Sequence, residues 1–203
     1  MSNKYSIIKL ILGEKQMTRI YFHEDDYCSI EILPIENLEF CLKQAGLIAD
    51  FSEKHKAEVG YTDIFALEKS PFSMQSKKIP KAVLEKAVQS ILPKFDEVFT
   101  GYGSYEEKCS HIGAFGNNEN VVIFYDEKDG FIENIWLNLN VYEAEDITIA
   151  KSLVHTLSKL GNFIIADWGW GFIEALHNCE QINQYLLNRL EVFALCHIPE
   201  GEI

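Results

Sequence analysis

Apolar positions along this chain switch between two periods, and the switches mark the elements. Alternating or continuous β-type runs occupy Tyr5–Leu12, Arg19–His23, Tyr27–Leu33 and Val59–Leu67. Pro34 stops the third of these. Spacings of three and four residues take over after it, placing Leu38, Cys41, Leu42 and Ala45 on one face of a predicted helix that starts near Ile35. The same spacing returns over Lys81–Leu92, opened by Pro80 and ended by Pro93, with Val83, Leu84, Ala87, Val88 and Ile91 on one stripe. A short strand is expected over Glu97–Thr100. The clearest hairpin joins Val121–Tyr125 to Phe131–Val141 through Asp129-Gly130, a dipeptide suited to a tight turn. Alternation there puts Phe131, Ile135, Leu137, Leu139 and Val141 on one face. Ile132, Asn134, Trp136, Asn138 and Asn140 fall on the other.

The C-terminal third repeats the alternation of periods. A helix from about Glu145 to Leu160 turns Ile147, Ala150, Val154 and Leu157 inward and stops at Gly161. Phe163–Ala166 and Gly171–Leu176 read as a strand pair around Asp167-Trp168-Gly169-Trp170-Gly171. A last helix runs from about Cys179 to Leu190, with Asn178 at its cap. Two stretches echo each other: Ile30–Lys43 and Ile173–Leu187 both pass from an Ile-Glu-x-Leu strand through a polar break into a helix. Hairpins interleaved with single helices predict an α+β fold, a mostly antiparallel sheet with helices packed on one face. No βαβ series with a glycine-rich first turn is present, which argues against a dinucleotide fold. The chain reads as a single domain over 1–203. Lys69–Pro80, rich in Ser, Lys and Pro, is the linker or long loop that would divide it into 1–68 and 81–203.

Composition adds a core and a charge. With 47% hydrophobic residues in 203, the chain has material for an interior that needs no covalent staples. Eighteen basic residues stand against 31 acidic ones, a formal net charge of −13. Such a surface repels phosphate backbones, so nucleic acid is not the expected partner and a basic protein is. The five cysteines (Cys28, Cys41, Cys109, Cys179 and Cys196) form no C-x-x-C pair, and their odd number points to free thiols in a reducing compartment. The apolar run Ile7–Leu12 is interrupted by Lys9 and too short for a membrane span or a signal peptide. A cytoplasmic protein without membrane contact is the expectation.

Candidate chemistry is sparse. Cys109-Ser110-His111 and Cys196-His197 lack the second pair that a zinc site needs, and the six histidines show no H-E-x-x-H spacing. Gly101-Tyr102-Gly103-Ser104 lacks the Lys-Ser/Thr of a phosphate loop. No catalytic residue, metal ligand or cofactor is therefore assigned. Recognition chemistry is better represented. Asp167, Trp168 and Trp170 sit among glycines that suit either a projecting turn or a tight hairpin whose indoles cap the core. Trp136 lies among amides on a strand face that is either a contact surface or simply wet. Acidic clusters at His23–Asp26, Asp126–Asp129 and Glu143–Asp146 would steer a basic partner if they converge, and otherwise are solvated turns. Asp25, Asp26, Trp136, Asp167, Trp168 and Trp170 are the expected partner contacts.

The segments Phe163–Leu190 and Val121–Leu137 resemble parts of the acidic immunity proteins of bacterial polymorphic-toxin and contact-dependent inhibition systems. The similarity lies in a strand ending in Asp-Trp, a short return strand and a closing helix, and it covers about the last third of the chain. The resemblance implies a protein that neutralises a toxin by direct contact, without cofactor or catalytic residues. It carries over no individual residue. The competing expectation is a small hydrolase whose histidines and carboxylates gather from distant segments, recognisable by one His and two carboxylates within hydrogen-bond reach.

Overall fold

The computed structural model describes residues 18–102, 104–117 and 119–196, so the expected strand Tyr5–Leu12 lies outside the described residues. Within them, a six-stranded antiparallel sheet runs in the order β5-β6-β7-β2-β8-β9. Its strands are β2 (Ile30–Pro34), β5 (Ile112–Gly116), β6 (Val121–Lys128), β7 (Phe131–Leu139), β8 (Phe163–Asp167) and β9 (Phe172–Ala175). A second, three-stranded sheet is built from β1 (Arg19–His23), β3 (Glu97–Tyr102) and β4 (Tyr105–Lys108), with β1 and β3 parallel. The helices are α1 (Leu38–His55), α2 (Lys81–Val88), α3 (Ala144–Ser158) and α4 (Cys179–Cys196). The fold is α+β, as the pattern predicts, but the helices are not confined to one face of the sheet as expected, because α1 packs on the other.

Strand parity divides the large sheet into two faces. One face presents Ile32, Ile123, Tyr125, Ile135, Leu137 and Ile165 to Leu84 and Val88 of α2, Leu153 and Val154 of α3, and Ile182 and Leu186 of α4. The opposite face is covered in two pieces. Over β5–β7, Ile20, Phe22 and Val98 of the small sheet close on Ala114, Val122, Phe124 and Trp136. Over β2, β8 and β9, α1 lays Cys41 and its neighbours against Leu33, Ile164, Ala166 and Ile173. The echoed strand–helix units thus flank β8 on both sides, yet α1 and α4 occupy opposite faces.

Local chemistry accounts for the boundaries. In the β6–β7 turn, Asp129 and Gly130 both take positive φ (55° and 80°), as a two-residue hairpin turn with the right twist requires. A bulge follows, because Asp126 faces Asn134 while Glu127 faces Ile132, leaving Glu133 unpaired. This reverses the simple alternation: Ile132 is buried beside Ile135, and Phe131 is exposed. Helix α3 opens with a capping box in which buried Asp146 accepts from the Glu143 amide, while the Glu143 side chain accepts in return. Asn37 grips the Phe72 backbone through both its amide groups (2.7 and 3.0 Å). Met74 and Ile79 of the 69–80 segment are buried in the main core.

Two strand expectations are corrected. Val59–Leu67 forms no strand: Gly60 turns at φ 77°, only Tyr61 is bridged, to Lys56, and Val59 and Ile64 stand about nine-tenths exposed. An apolar run without a neighbour to share its hydrogen bonds has no ladder to join. Strand β2 starts at Ile30 rather than Tyr27, since Cys28 takes φ 55° in the turn that precedes it.

Candidate functional site

Strands β2 and β7, neighbours in the middle of the large sheet, pair at one position, Glu31 with Trp136. Registered pairing stops on either side of it, although the strands stay side by side. Toward the start of β2, where the pairing stops, lies a cavity of about 190 Å³, bounded by Ser29 and Ile30 on one side and Leu137, Asn138 and Asn140 on the other. Asp26, Trp136, Asp167, Trp170 and Arg189 also line it. Toward the end of β2 lies a cleft of about 230 Å³ between Glu31, Leu33, Asn134 and the loop carrying Leu67, Phe72 and Met74. Registered pairing between the two halves of the sheet is therefore sparse along this seam.

Arg189 fastens the upper split from the helical side. Its Nε donates to the Leu139 carbonyl (2.9 Å), while its Nη1 pairs with Asp167 (2.5 Å) and donates to the Tyr185 hydroxyl (3.0 Å). Asp167 is buried at 2% exposure, and it also accepts from Tyr185 (2.6 Å) and from the Trp170 amide (3.1 Å). A buried carboxylate needs such compensation. Burial pushes the Tyr185 phenol well above its ordinary range, so it remains a donor to Asp167. The Arg189 guanidinium also lies 4.8 Å over the Trp170 ring, which is 44% exposed at the mouth.

A second polar group crosses the seam beneath the turn that precedes β2. The Trp168 indole N–H donates to Glu31 (2.7 Å), and Cys28 hydrogen-bonds the same carboxylate. Tyr27 donates to Asp126 (2.9 Å), which also accepts from the Asn134 amide (3.0 and 3.1 Å). Burial raises the Glu31 carboxyl above its ordinary range, opposed by its hydrogen bonds from Trp168 and Cys28. Cys28 beside Glu31 has the outline of a nucleophile and its base. Burial, reinforced by the nearby Glu31 and Asp126 charges, instead pushes the thiol far upward and keeps it protonated and unreactive. Cys41 is likewise pushed up, to about 12, by burial and then by Glu31.

The split thus brings together Asp26, Trp136, Asp167 and Trp170 of the six expected contacts. Asp25 stays on the exposed acidic turn, its amide donating to His23 Nδ1 (3.3 Å), and Trp168 is half-buried against α1 and Glu31. The wet-face reading of Trp136 is corrected, since the indole is 1% exposed and packs against Phe22, Phe124 and Tyr27. The face looks polar in sequence, but the small sheet covers it. Asp126 and Asp146, read as members of acidic clusters, are buried and hydrogen-bonded. Arg189, Tyr185 and Glu31 were not anticipated. Their traces were present: Arg189 is one of two arginines in the chain and follows Tyr185 by one helical turn.

Of the described histidines, His23 neighbours one carboxylate, Asp25, His55 stacks on Phe51 beside Thr62, and His111 lines one cavity with Glu24 and Glu107. Among the described residues no group of three or more His, Cys, Asp or Glu side chains could hold a metal ion. No described helix is long and apolar enough to cross a membrane. What the split offers is recognition chemistry, namely two side-chain amides, an aromatic–cation stack and an acidic rim. Compared with protein-family models, characterised proteins and solved structures, the chain matches none.

Proposed function

We propose that this protein is an acidic binding module of the immunity type, neutralising a basic toxin domain by direct contact in the cytoplasm. The observation that carries this reading is the mouth of the split. There, exposed Trp170 is held flat by Arg189 within a cavity whose wall includes Asp26 of the acidic Glu24–Asp26 turn. A partly exposed, immobilised indole beside exposed carboxylates matches what a tight protein contact uses. A net charge of −13 would speed the approach of a cationic partner.

The test is capture of partners from the native host on the tagged protein, at low and at high salt, with Trp170→Ala alongside. The expected result is one basic protein, weakened by salt and lost with the variant. Its growth-inhibiting effect should be suppressed by co-expression of the intact chain. Capture of no partner at either salt, or of one that does not inhibit growth, would overturn the reading.

A further inference from the structure

A second cavity, of about 420 Å³, lies next to the same acidic turn, between β1, the β3–β4 hairpin and the segment leading into β5. Phe22, Tyr27, Cys109 and Ile112 supply apolar and aromatic surface, Glu24 and Glu107 supply carboxylates, and Thr100, Ser110 and His111 line it as well. Tyr105 donates a hydrogen bond to Glu107. Lys108 also borders the groove, but its ammonium is paired with Glu97 at 2.6 Å. Tyr27 is 43% exposed, and its hydroxyl is engaged by Asp126, which fixes the ring in place.

We infer that this groove receives an arginine side chain of a protein partner, its aliphatic stem along Phe22, Cys109 and Ile112 and its guanidinium between Tyr27, Glu24 and Glu107. A guanidinium suits the site better than an ammonium. It is planar, more weakly hydrated, stacks on an aromatic ring and bonds carboxylates with a forked set of donors. The three methylenes of its stem bury on apolar walls while the charge stays at the acidic rim. The inference rests on the reading above in expecting a basic protein partner, but its chemistry is testable without one.

The experiment is a titration of the full chain with Nα-acetyl-arginine N-methylamide, followed by two-dimensional NMR of the Ile112 methyl and Tyr27 ring signals. The neutral citrulline counterpart is the control. Saturable shifts at Ile112 and Tyr27 are expected with the arginine probe. Affinity should fall at least tenfold for citrulline and at least tenfold for the Glu24→Gln/Glu107→Gln double variant. Both substituted residues are exposed, and the amide spectrum checks that the variant is folded. Absence of saturable shifts, equal response to citrulline, or full retention in the variant would overturn the inference. A failed titration beside a captured toxin removes the groove and leaves the inhibitor reading standing. A successful titration with no captured partner does the reverse.

Discussion

At the scale of single residues, three positions matter to stability, each for a different physical reason. Gly113 permits a close approach: a Cβ there would come 2.1 Å from the Tyr125 hydroxyl oxygen, which is bonded to Glu85. Gly113→Ala should cost about 1–3 kcal/mol by overpacking, read as a lower denaturation midpoint with an unchanged slope. Arg189 compensates the buried charge of Asp167. Arg189→Ala strips that compensation and should cost about 3 kcal/mol, measured by urea unfolding. Glu31 is the pH-sensitive position. Burial raises its folded-state pKa above the unfolded value, so its protonated form is the one the fold prefers. Its contribution is full below the ordinary glutamate range and is lost as pH rises through the raised folded value. Glu31→Gln should therefore remove a fall in stability on the alkaline side of that range. Melting curves of the two proteins across pH would show the gap opening, and parallel curves would contradict it.

At the scale of elements, what the sequence revealed depended on how far apart the partners lie. The β6–β7 hairpin and α3 were legible because their signals are local: a turn dipeptide, alternation and helical spacing with a terminal glycine. The bulge at Glu133 was not, since it is an arrangement of pairing rather than of residue types, and it moved Ile132 to the other face. The small sheet was legible strand by strand but not as a sheet. Arg19 pairs with Glu97 across 78 positions, and no periodicity encodes that meeting. The same ignorance made the Trp136 face read as wet. Within the split, Asp167 and Trp170 could be singled out by type, whereas Arg189 acquires meaning only through the carboxylate it meets. The long-range closure has a kinetic side as well. Loop entropy is paid before β1 and β3 gain their contacts, and the small sheet buries less apolar surface than the large one. Its amides, such as those of Ile20 and Phe22, should exchange with deuterium faster than those of Ile123 and Ile165. Equal protection in both sheets would show instead that the molecule opens as one unit.

At the scale of the whole molecule, the seam between β2 and β7 marks where the covering of the large sheet changes. The helical face is continuous across it, with α2, α3 and α4 sharing one core. The other face changes cover at the seam, from the small sheet to α1, and the polar groups gather where the two covers meet. Entry of a partner group into the split would load Arg189, and through Asp167 the end of β8.

The chain has three tryptophans, and all three lie on this line: Trp136 at the joining pair, Trp168 bound to Glu31, and Trp170 at the mouth. Ultraviolet emission from this protein is therefore not an average over the molecule. It is a gauge of one internal joint, blind to α2 and α3. Heated slowly, the protein should redden in emission before its far-ultraviolet circular dichroism changes, as the joint wets ahead of the helices. Coincident transitions would mean that the joint yields only when the whole structure does.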